Sequence, residues 1–90
     1  MVKEKVSESN NSDQLKSDLK NLVLFNDDFN TFDFVIDTLI DVCDHEPQQA
    51  EQCAIITHYK GKCVVKTGDI YELKPVYKEL SNRNLTVEIK

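Results

Sequence analysis

The sequence predicts a small α+β domain, with three helices on one face of a three-stranded, mostly antiparallel sheet in the order β-α-α-β-α-β. Three stretches repeat apolar residues at three- and four-residue spacing, which is typical of amphipathic helices. Three short runs rich in branched aliphatic residues are typical of strands. Because the chain has 90 residues, it can form one domain at most.

The first twenty residues differ in composition from the rest. Residues 1–20 are rich in Ser, Asn, Asp, Glu and Lys and contain no aromatic residue. Such a segment buries too little apolar surface to offset its ordering entropy. We therefore expect a flexible N-terminal extension at 1–20 and a folded core at 21–90. No segment resembles a signal peptide or is apolar enough to span a membrane.

The first strand and helix flank a polar turn. Residues 22–25 form a short apolar run, and 26–30 then supply turn-forming residues. Asn30 is a suitable N-cap, with Asp33 at N3, for a helix from about 31 to 43. The apolar stripe of this helix consists of Phe32, Val35, Ile36, Leu39, Ile40 and Cys43.

The second helix begins and ends at clear signals. Pro47 suits the N1 position, and Gly61 suits the residue after the last turn, near Tyr59. The apolar positions of this helix include several small residues, so another group can approach that face closely. Residues 62–66 then read as a strand.

The third helix begins with a capping box. Asp69 and Glu72 have the required spacing. Pro75 would lie inside the helix, where it costs about 3 kcal/mol, so we expect a kink or a later start. Residues 85–89 alternate between apolar and polar and predict the final strand.

Charge and cysteine content narrow the function classes. The net charge is −5, and it falls entirely on 21–90 because basic and acidic residues are equal in number within 1–20. This argues against nucleic acid as a partner and fits a cationic ligand or a basic surface. The three cysteines are odd in number and lack CxxC spacing, which indicates a reduced, cytoplasmic setting.

The turn Asn26-Asp27-Asp28, taken together with His58, offers amide, carboxylate and imidazole acceptors. No nucleophile or metal motif accompanies them, so the set suits capture of a cation better than cleavage of a bond. A second interpretation is ordinary turn chemistry, with a histidine that complements a helix dipole. On these residues alone the second interpretation is favoured.

Metal binding and catalysis find little support. Cys53, His58 and Cys63 are five residues apart, and no cysteine pair has the spacing of structural zinc sites. The acidic turn lacks the Gly and the closing Glu of an EF-hand loop. No residue pattern marks an activated cysteine or an oxyanion hole. We predict no metal, no cofactor and no enzymatic activity, with a thiol- or metal-dependent protein as a remaining alternative.

Four parts of the sequence together closely resemble the ClpS family of bacterial adaptors, which deliver N-degron substrates to the Clp AAA+ protease. They are 24–29 (LFNDDF), 34–37 (FVID) with Leu39, 50–52 (AEQ) and 58–62 (HYKGK). The resemblance covers 21–90, and the N-D-D turn combined with H-x-x-G-K is its most specific feature.

The resemblance implies recognition of proteins by a first residue such as Phe, Tyr, Trp or Leu. The free α-ammonium would be accepted by Asn26, Asp27 and His58, with Asp28 in a supporting role or only holding the turn. Charge-assisted hydrogen bonds of this kind are strong. An acetylated N-terminus should be rejected, and protonation of His58 should weaken binding.

The resemblance also implies an apolar pocket for the first side chain. Its wall would consist of Phe32, Val35, Ala54, Ile55, Thr57 and Leu85. Phe32 and Ala54 stand where the family commonly has Met, and Thr57 where it commonly has Val. We expect the binding mode to be retained and the preference among first residues to be altered, although Phe32 can equally belong to the core alone.

The implied partners are N-degron substrate proteins and the N-terminal domain of a Clp unfoldase, with no nucleic acid and no membrane. Asp69 and Lys74 match positions that face the unfoldase, although a solvated helix face explains them equally well. The extension at 1–20 matches the segment that the unfoldase engages. A Clp-binding inhibitor that does not bind N-degrons remains the main alternative.

Overall fold

The computed structural model describes residues 18–90, and its element order is β-α-α-β-α-β as predicted. The extension predicted at 1–20 therefore lies almost wholly outside the described residues. The elements are β1 (Lys20–Phe25), α1 (Phe32–Cys43), α2 (Pro47–Lys60), β2 (Lys62–Gly68), α3 (Ile70–Asn82) and β3 (Thr86–Ile89).

β1 is the central strand of the sheet. The strand order is β2-β1-β3, and β1 pairs antiparallel with both neighbours. Phe25 at the end of β1 lies opposite Lys62 of β2 and Thr86 of β3. The end of β1 and the beginnings of β2 and β3 therefore lie side by side at one end of the sheet. The predicted α+β class and the antiparallel sheet are confirmed.

The core lies between one face of the sheet and the three helices. Leu22 and Leu24 of β1 are buried against Leu39, Leu73 and Leu80 of the helices. Full burial of each such side chain contributes about 1.5–3 kcal/mol of transfer free energy. On the other face of the sheet, Val64 keeps 49% of its surface exposed.

The N-cap of α1 corrects one prediction. The cap is Thr31, whose Oγ1 accepts a hydrogen bond from the amide of Phe34 at 3.1 Å. Asn30 was expected to be the cap, but its side chain is engaged elsewhere, in hydrogen bonds with Asp27 and Asn84. A cap needs a side chain that turns back onto its own helix, and the tertiary contacts of Asn30 prevent this.

The other helix ends follow the sequence signals. Pro47 opens α2, and Gly61 ends it with φ of 92°. In α3 the Asp69 carboxylate accepts from the amide of Glu72 at 2.8 Å, which completes the capping box together with the reciprocal bond. The helix begins directly after Asp69 and continues as one helix through Pro75, so the later start that Pro75 had suggested is wrong.

Candidate functional site

The two polar segments meet because of the sheet topology. Asn26 follows the end of β1, and His58 lies in the last turn of α2, directly before β2 begins. The amide of Asn26 donates to the carbonyl oxygen of Gly61 at 2.9 Å, which joins the turn after β1 to the turn after α2. Leu85 immediately precedes β3 and therefore lies at the same end of the sheet.

These segments surround a cavity of about 550 Å³, a volume within the usual range of small-ligand sites. Every residue predicted to bind the substrate N-terminus or its side chain lines this cavity. They are Asn26, Asp27, Asp28, Phe32, Val35, Ala54, Ile55, Thr57, His58 and Leu85. Asp69 and Lys74, predicted to contact the unfoldase, are not among the lining residues.

Asp27 organises the polar end of the cavity. Its Oδ1 accepts from the amides of Phe29 at 2.9 Å and Asn30 at 2.8 Å. Its Oδ2 accepts from the side-chain amide of Asn30 at 2.8 Å. Burial by itself raises the pKa of Asp27, but the hydrogen bonds from Asn30 and Phe29 outweigh it and hold the pKa below its ordinary value of 3.8. The carboxylate is therefore charged near neutral pH and held in one orientation.

Three further acceptors are available at the same end. Within residues 18–90, no hydrogen bond engages the side chains of Asn26, Asp28 or His58. The His58 ring packs edge-on against Tyr59, with ring centroids 4.9 Å apart. Asp28 was predicted either to support binding of the ammonium or only to hold the turn, and the hydrogen bonds of the turn are accepted by Asp27. The Asp28 carboxylate is exposed at the cavity.

The apolar wall combines small buried residues with one exposed aromatic. Ala54 and Thr57 are almost fully buried. The Thr57 hydroxyl donates to the Cys53 carbonyl oxygen at 2.8 Å, so it brings no unpaired donor to the wall. Phe32 lines the cavity and keeps 42% of its surface exposed.

Sequence reasoning missed Asn30 and Tyr59. Asn30 donates one amide hydrogen to Asp27 and the other to the carbonyl oxygen of Asn84 at 2.9 Å. This residue connects the polar turn to the segment before Leu85. Its position in a polar turn was the only signal, and that signal favoured a helix cap. Tyr59 is 80% exposed and lines the cavity. It stands inside the H-Y-K-G-K segment, where only the His was assigned a role.

The charge around the cavity favours a cation. Two carboxylates, Asp27 and Asp28, line it, and no lysine or arginine of the described chain does. In the same part of the chain, no group of three or more His, Cys, Asp or Glu side chains is placed to hold a metal ion. Nor is any helix within 18–90 long and apolar enough to cross a bilayer.

The fold and the cavity together define a small α+β binding domain whose site joins oriented acceptors to an apolar wall. The family model described as "ATP-dependent Clp protease adaptor protein ClpS" matches residues 16–87 of this chain. Because that match covers most of the sequence, the chain belongs to the ClpS family.

Curated relatives carry the same description. The ClpS adapter protein of Escherichia coli O127:H6 is 34% identical over 74 residues, which cover 79% of this chain and 70% of that protein. The ClpS of Pectobacterium carotovorum is 35% identical over 77 residues, which cover 78% and 73%. The match to the ClpS of Sodalis glossinidius is 34% identical and spans only 55% of that relative's length.

A solved structure shares the fold. Agrobacterium tumefaciens ClpS2 bound to L-phenylalaninamide superposes with a TM-score of 0.77, covering 81% of this chain and 95% of the other. The sequences are 20% identical, so this likeness establishes the architecture alone.

Proposed function

We propose that this protein is a non-enzymatic adaptor that binds proteins through a bulky hydrophobic N-terminal residue and delivers them to a Clp AAA+ unfoldase and protease. The observation that carries the proposal is the convergence of Asn26, Asp27 and His58 with an apolar wall in one cavity. The relatives named as Clp adapters support the delivery role. The ClpS2 ligand, phenylalaninamide, combines a free ammonium with an aromatic side chain.

The polar end of the cavity suits an α-ammonium, which carries three donors and a positive charge. Asp27 contributes the charge, and its Oδ2 retains acceptor capacity after the bond from Asn30, because a carboxylate oxygen accepts more than one hydrogen. Asn26 and His58 supply neutral acceptors from the two turns that the Asn26–Gly61 bond joins. An ammonium that entered the site unpaired would lose more in desolvation than it gained.

The apolar end of the cavity suits the first side chain of the substrate. Phe32, Ala54 and Leu85 come from three separate segments and line the same space. A large group at position 32 and a small group at position 54 place the open volume near α2. We propose that this arrangement alters the order of preference among Phe, Tyr, Trp and Leu.

Fluorescence anisotropy with a labelled peptide that begins with Phe tests the proposal. The free peptide should bind, and the N-acetylated peptide should not, since acetylation removes the charge and two donors. Asn26→Ala and His58→Ala should each weaken binding at least tenfold, a loss of about 1.4 kcal/mol. Gln48→Ala is the matched control, because Gln48 is exposed, lies at the opposite end of α2 from His58 and does not line the cavity. Equal binding of both peptides would refute recognition of the ammonium.

Acidification tests the role of His58 separately. A histidine that accepts a hydrogen bond must hold one nitrogen unprotonated, so protonation removes this acceptor. Acidification should lower peptide affinity in the wild type and should not lower it in His58→Gln. Affinity in the wild type that does not change would refute this role.

The delivery role requires a second surface and the extension. We propose that Lys74 and Asp69 contact the N-terminal domain of the unfoldase, away from the cavity. Since Asp69 also caps α3, Lys74→Glu is the cleaner variant. It should reduce unfoldase binding and leave peptide binding intact. Glu51→Lys, a charge reversal at an exposed residue of α2 that does not line the cavity, is its control.

Deletion of residues 1–19, which leaves β1 whole, should leave peptide binding intact and abolish stimulated degradation. This part of the proposal rests on composition, as does the cytoplasmic location, for which free cysteines are typical. A truncated protein that stimulates degradation normally would refute it. Unfoldase binding without peptide binding would instead identify an inhibitor.

A further inference from the structure

Two cysteines from different elements lie close together on the side of α2 that faces away from the cavity. The Sγ atoms of Cys53 in α2 and Cys63 in β2 are 2.7 Å apart, and both thiols are free. A disulfide has an S–S distance of about 2.05 Å, so bond formation requires a movement of less than about 1 Å. Within residues 18–90 no other pair of sulfurs is in contact.

The turn at Gly61 brings the two cysteines together. The chain reverses there and runs back along α2 as β2, which places Cys63 beside Cys53. Because the pair joins a helix to a strand, a bond between the sulfurs would add a covalent link between two elements that are otherwise connected only through the chain at Gly61 and by noncovalent contacts. Ala54 and Ile55, the residues that follow Cys53, belong to the wall of the ligand cavity.

A groove of about 250 Å³ gives access to the pair. It is lined by His45, Gln49, Gln52, Cys53, Ile56, Cys63 and Val64, and it shares no lining residue with the ligand cavity. Cys63 is half-buried, whereas Cys53 is 4% exposed. A reagent in the groove therefore meets Cys63 first.

His45, a buried histidine, also lines this groove. Its Nε2 donates to the carbonyl oxygen of Val65 at 2.8 Å, so Nδ1 carries the lone pair. This Nδ1 is buried and has no hydrogen-bond partner within the described residues.

The geometry favours a disulfide over a shared metal ion. Two thiolates bound to one tetrahedral zinc at about 2.3 Å each would be about 3.8 Å apart. The observed 2.7 Å is too short for an ion between the sulfurs. The described residues also supply no third ligand for a metal at this place.

We propose that Cys53 and Cys63 form a redox-active dithiol site, which small disulfides convert to a reversible intramolecular disulfide that links α2 to β2. The Cys63 thiolate attacks a small disulfide and expels one thiolate, which leaves a mixed disulfide on Cys63. The Cys53 thiolate then attacks the Cys63 sulfur and expels the second thiolate. Two cysteine thiols are oxidised, one external disulfide is reduced to two thiols, and the two protons pass to them.

The third cysteine serves as an internal reference. Cys43 is buried, and this burial is the main cause that raises its pKa to about 11, with a smaller opposing effect of Lys66 and a further increase from Asp44. Burial also raises the pKa of Cys53, so position and not acidity sets Cys43 apart. Within residues 18–90 no sulfur is in contact with Cys43, and it should therefore remain a thiol under mild oxidation.

Incubation of the full-length reduced chain with excess glutathione disulfide tests the proposal. The free thiol count should fall from three to one, and peptide mapping should find one internal bond between Cys53 and Cys63. The oxidised chain should unfold on the order of 10 °C higher, because the bond closes a loop in the unfolded state. Dithiothreitol should restore the three thiols and the original melting temperature.

Variants separate this site from general thiol reactivity. Cys43→Ser should still form the bond, whereas Cys63→Ser should not and should show no upward shift in melting temperature. Cys63 is chosen over Cys53 because it is less buried, so the variant should remain folded. A thiol count that stays at three, a bond that includes Cys43, or disulfide-linked dimers only would each overturn the proposal.

Discussion

Asn30 and Asn84, 54 residues apart in the sequence, are joined by a 2.9 Å hydrogen bond from the Asn30 side-chain amide to the Asn84 carbonyl oxygen. The same amide group donates to Asp27. One side chain therefore fixes the acidic turn relative to the segment that carries Leu85. These two hydrogen bonds therefore fix the position of the polar end of the cavity relative to its apolar end.

Loss of the Asn30 amide should disturb this relation. In Asn30→Ala, Asp27 loses one of its three hydrogen bonds and the carbonyl of Asn84 loses its partner. We expect affinity for a peptide that begins with Phe to fall roughly tenfold by anisotropy, since hydrogen bonds to charged groups contribute about 1.5–3 kcal/mol. Asn30→Asp should bind no better than Asn30→Ala, because it places a second carboxylate beside Asp27. Unchanged affinity in Asn30→Ala would show that the backbone hydrogen bonds to Asp27 are sufficient to hold the turn in place.

Phe32 can be distinguished from a core residue by comparison with Phe34. The two lie in the first turn of α1 with 42% and 39% of their surfaces exposed, but only Phe32 lines the cavity. Phe32→Ala should weaken peptide binding roughly tenfold, because it removes apolar contact area. Phe34→Ala should leave binding unchanged. If the two variants behave alike in binding and in urea unfolding, Phe32 is not part of the site.

Gly61 is required by the backbone conformation at the turn that meets Asn26. Its φ is +92°, where a side chain is strained, although a Cβ would meet no atom within 4 Å. Gly61→Ala should therefore lower the free energy of unfolding by about 1 kcal/mol through backbone strain. Gly61→Asn should lose less, because Asn tolerates positive φ better. Urea denaturation measures both, and equal stability of wild type and Gly61→Ala would contradict the expectation.

Asp27 should make stability depend on pH in the acidic range. Burial raises the pKa of Asp27, but the hydrogen bonds from Asn30 and Phe29 lower it by more. The pKa in the folded chain is therefore below its ordinary value of 3.8. A carboxyl group whose pKa is lower in the folded state than in the unfolded state stabilises the fold. This stabilisation is fully present at a pH above the unfolded-state pKa and is lost as the pH falls through the folded-state pKa. The stability difference between wild type and Asp27→Asn should hold steady above about pH 5 and shrink below about pH 4. A difference that is the same at every pH would refute this.

The sequence predicted most of the fold because its signals are local. The capping box of Asp69 and Glu72, the stop at Gly61 and the stripe of α1 each depend on residues within a few positions of one another. The site residues were predicted through the resemblance to the ClpS family, whose most specific feature here is an N-D-D turn combined with an H-x-x-G-K segment. Their shared cavity depends on the antiparallel pairing of β1 with β2 and β3, which the element order already favoured.

The tertiary structure alone decided the contacts between distant segments. Asparagine is a common N-cap residue, so the sequence favoured Asn30 as the cap. Only the contact of Asn30 with Asn84 shows why Thr31 caps α1 instead. Cys53 and Cys63 lack any recognised spacing, and only the reversal at Gly61 places their sulfurs together. Local patterns determine which elements form, because helices and turns are stabilised by near neighbours. Which side chains meet across elements depends on how the elements pack, and no short segment of the sequence contains that information.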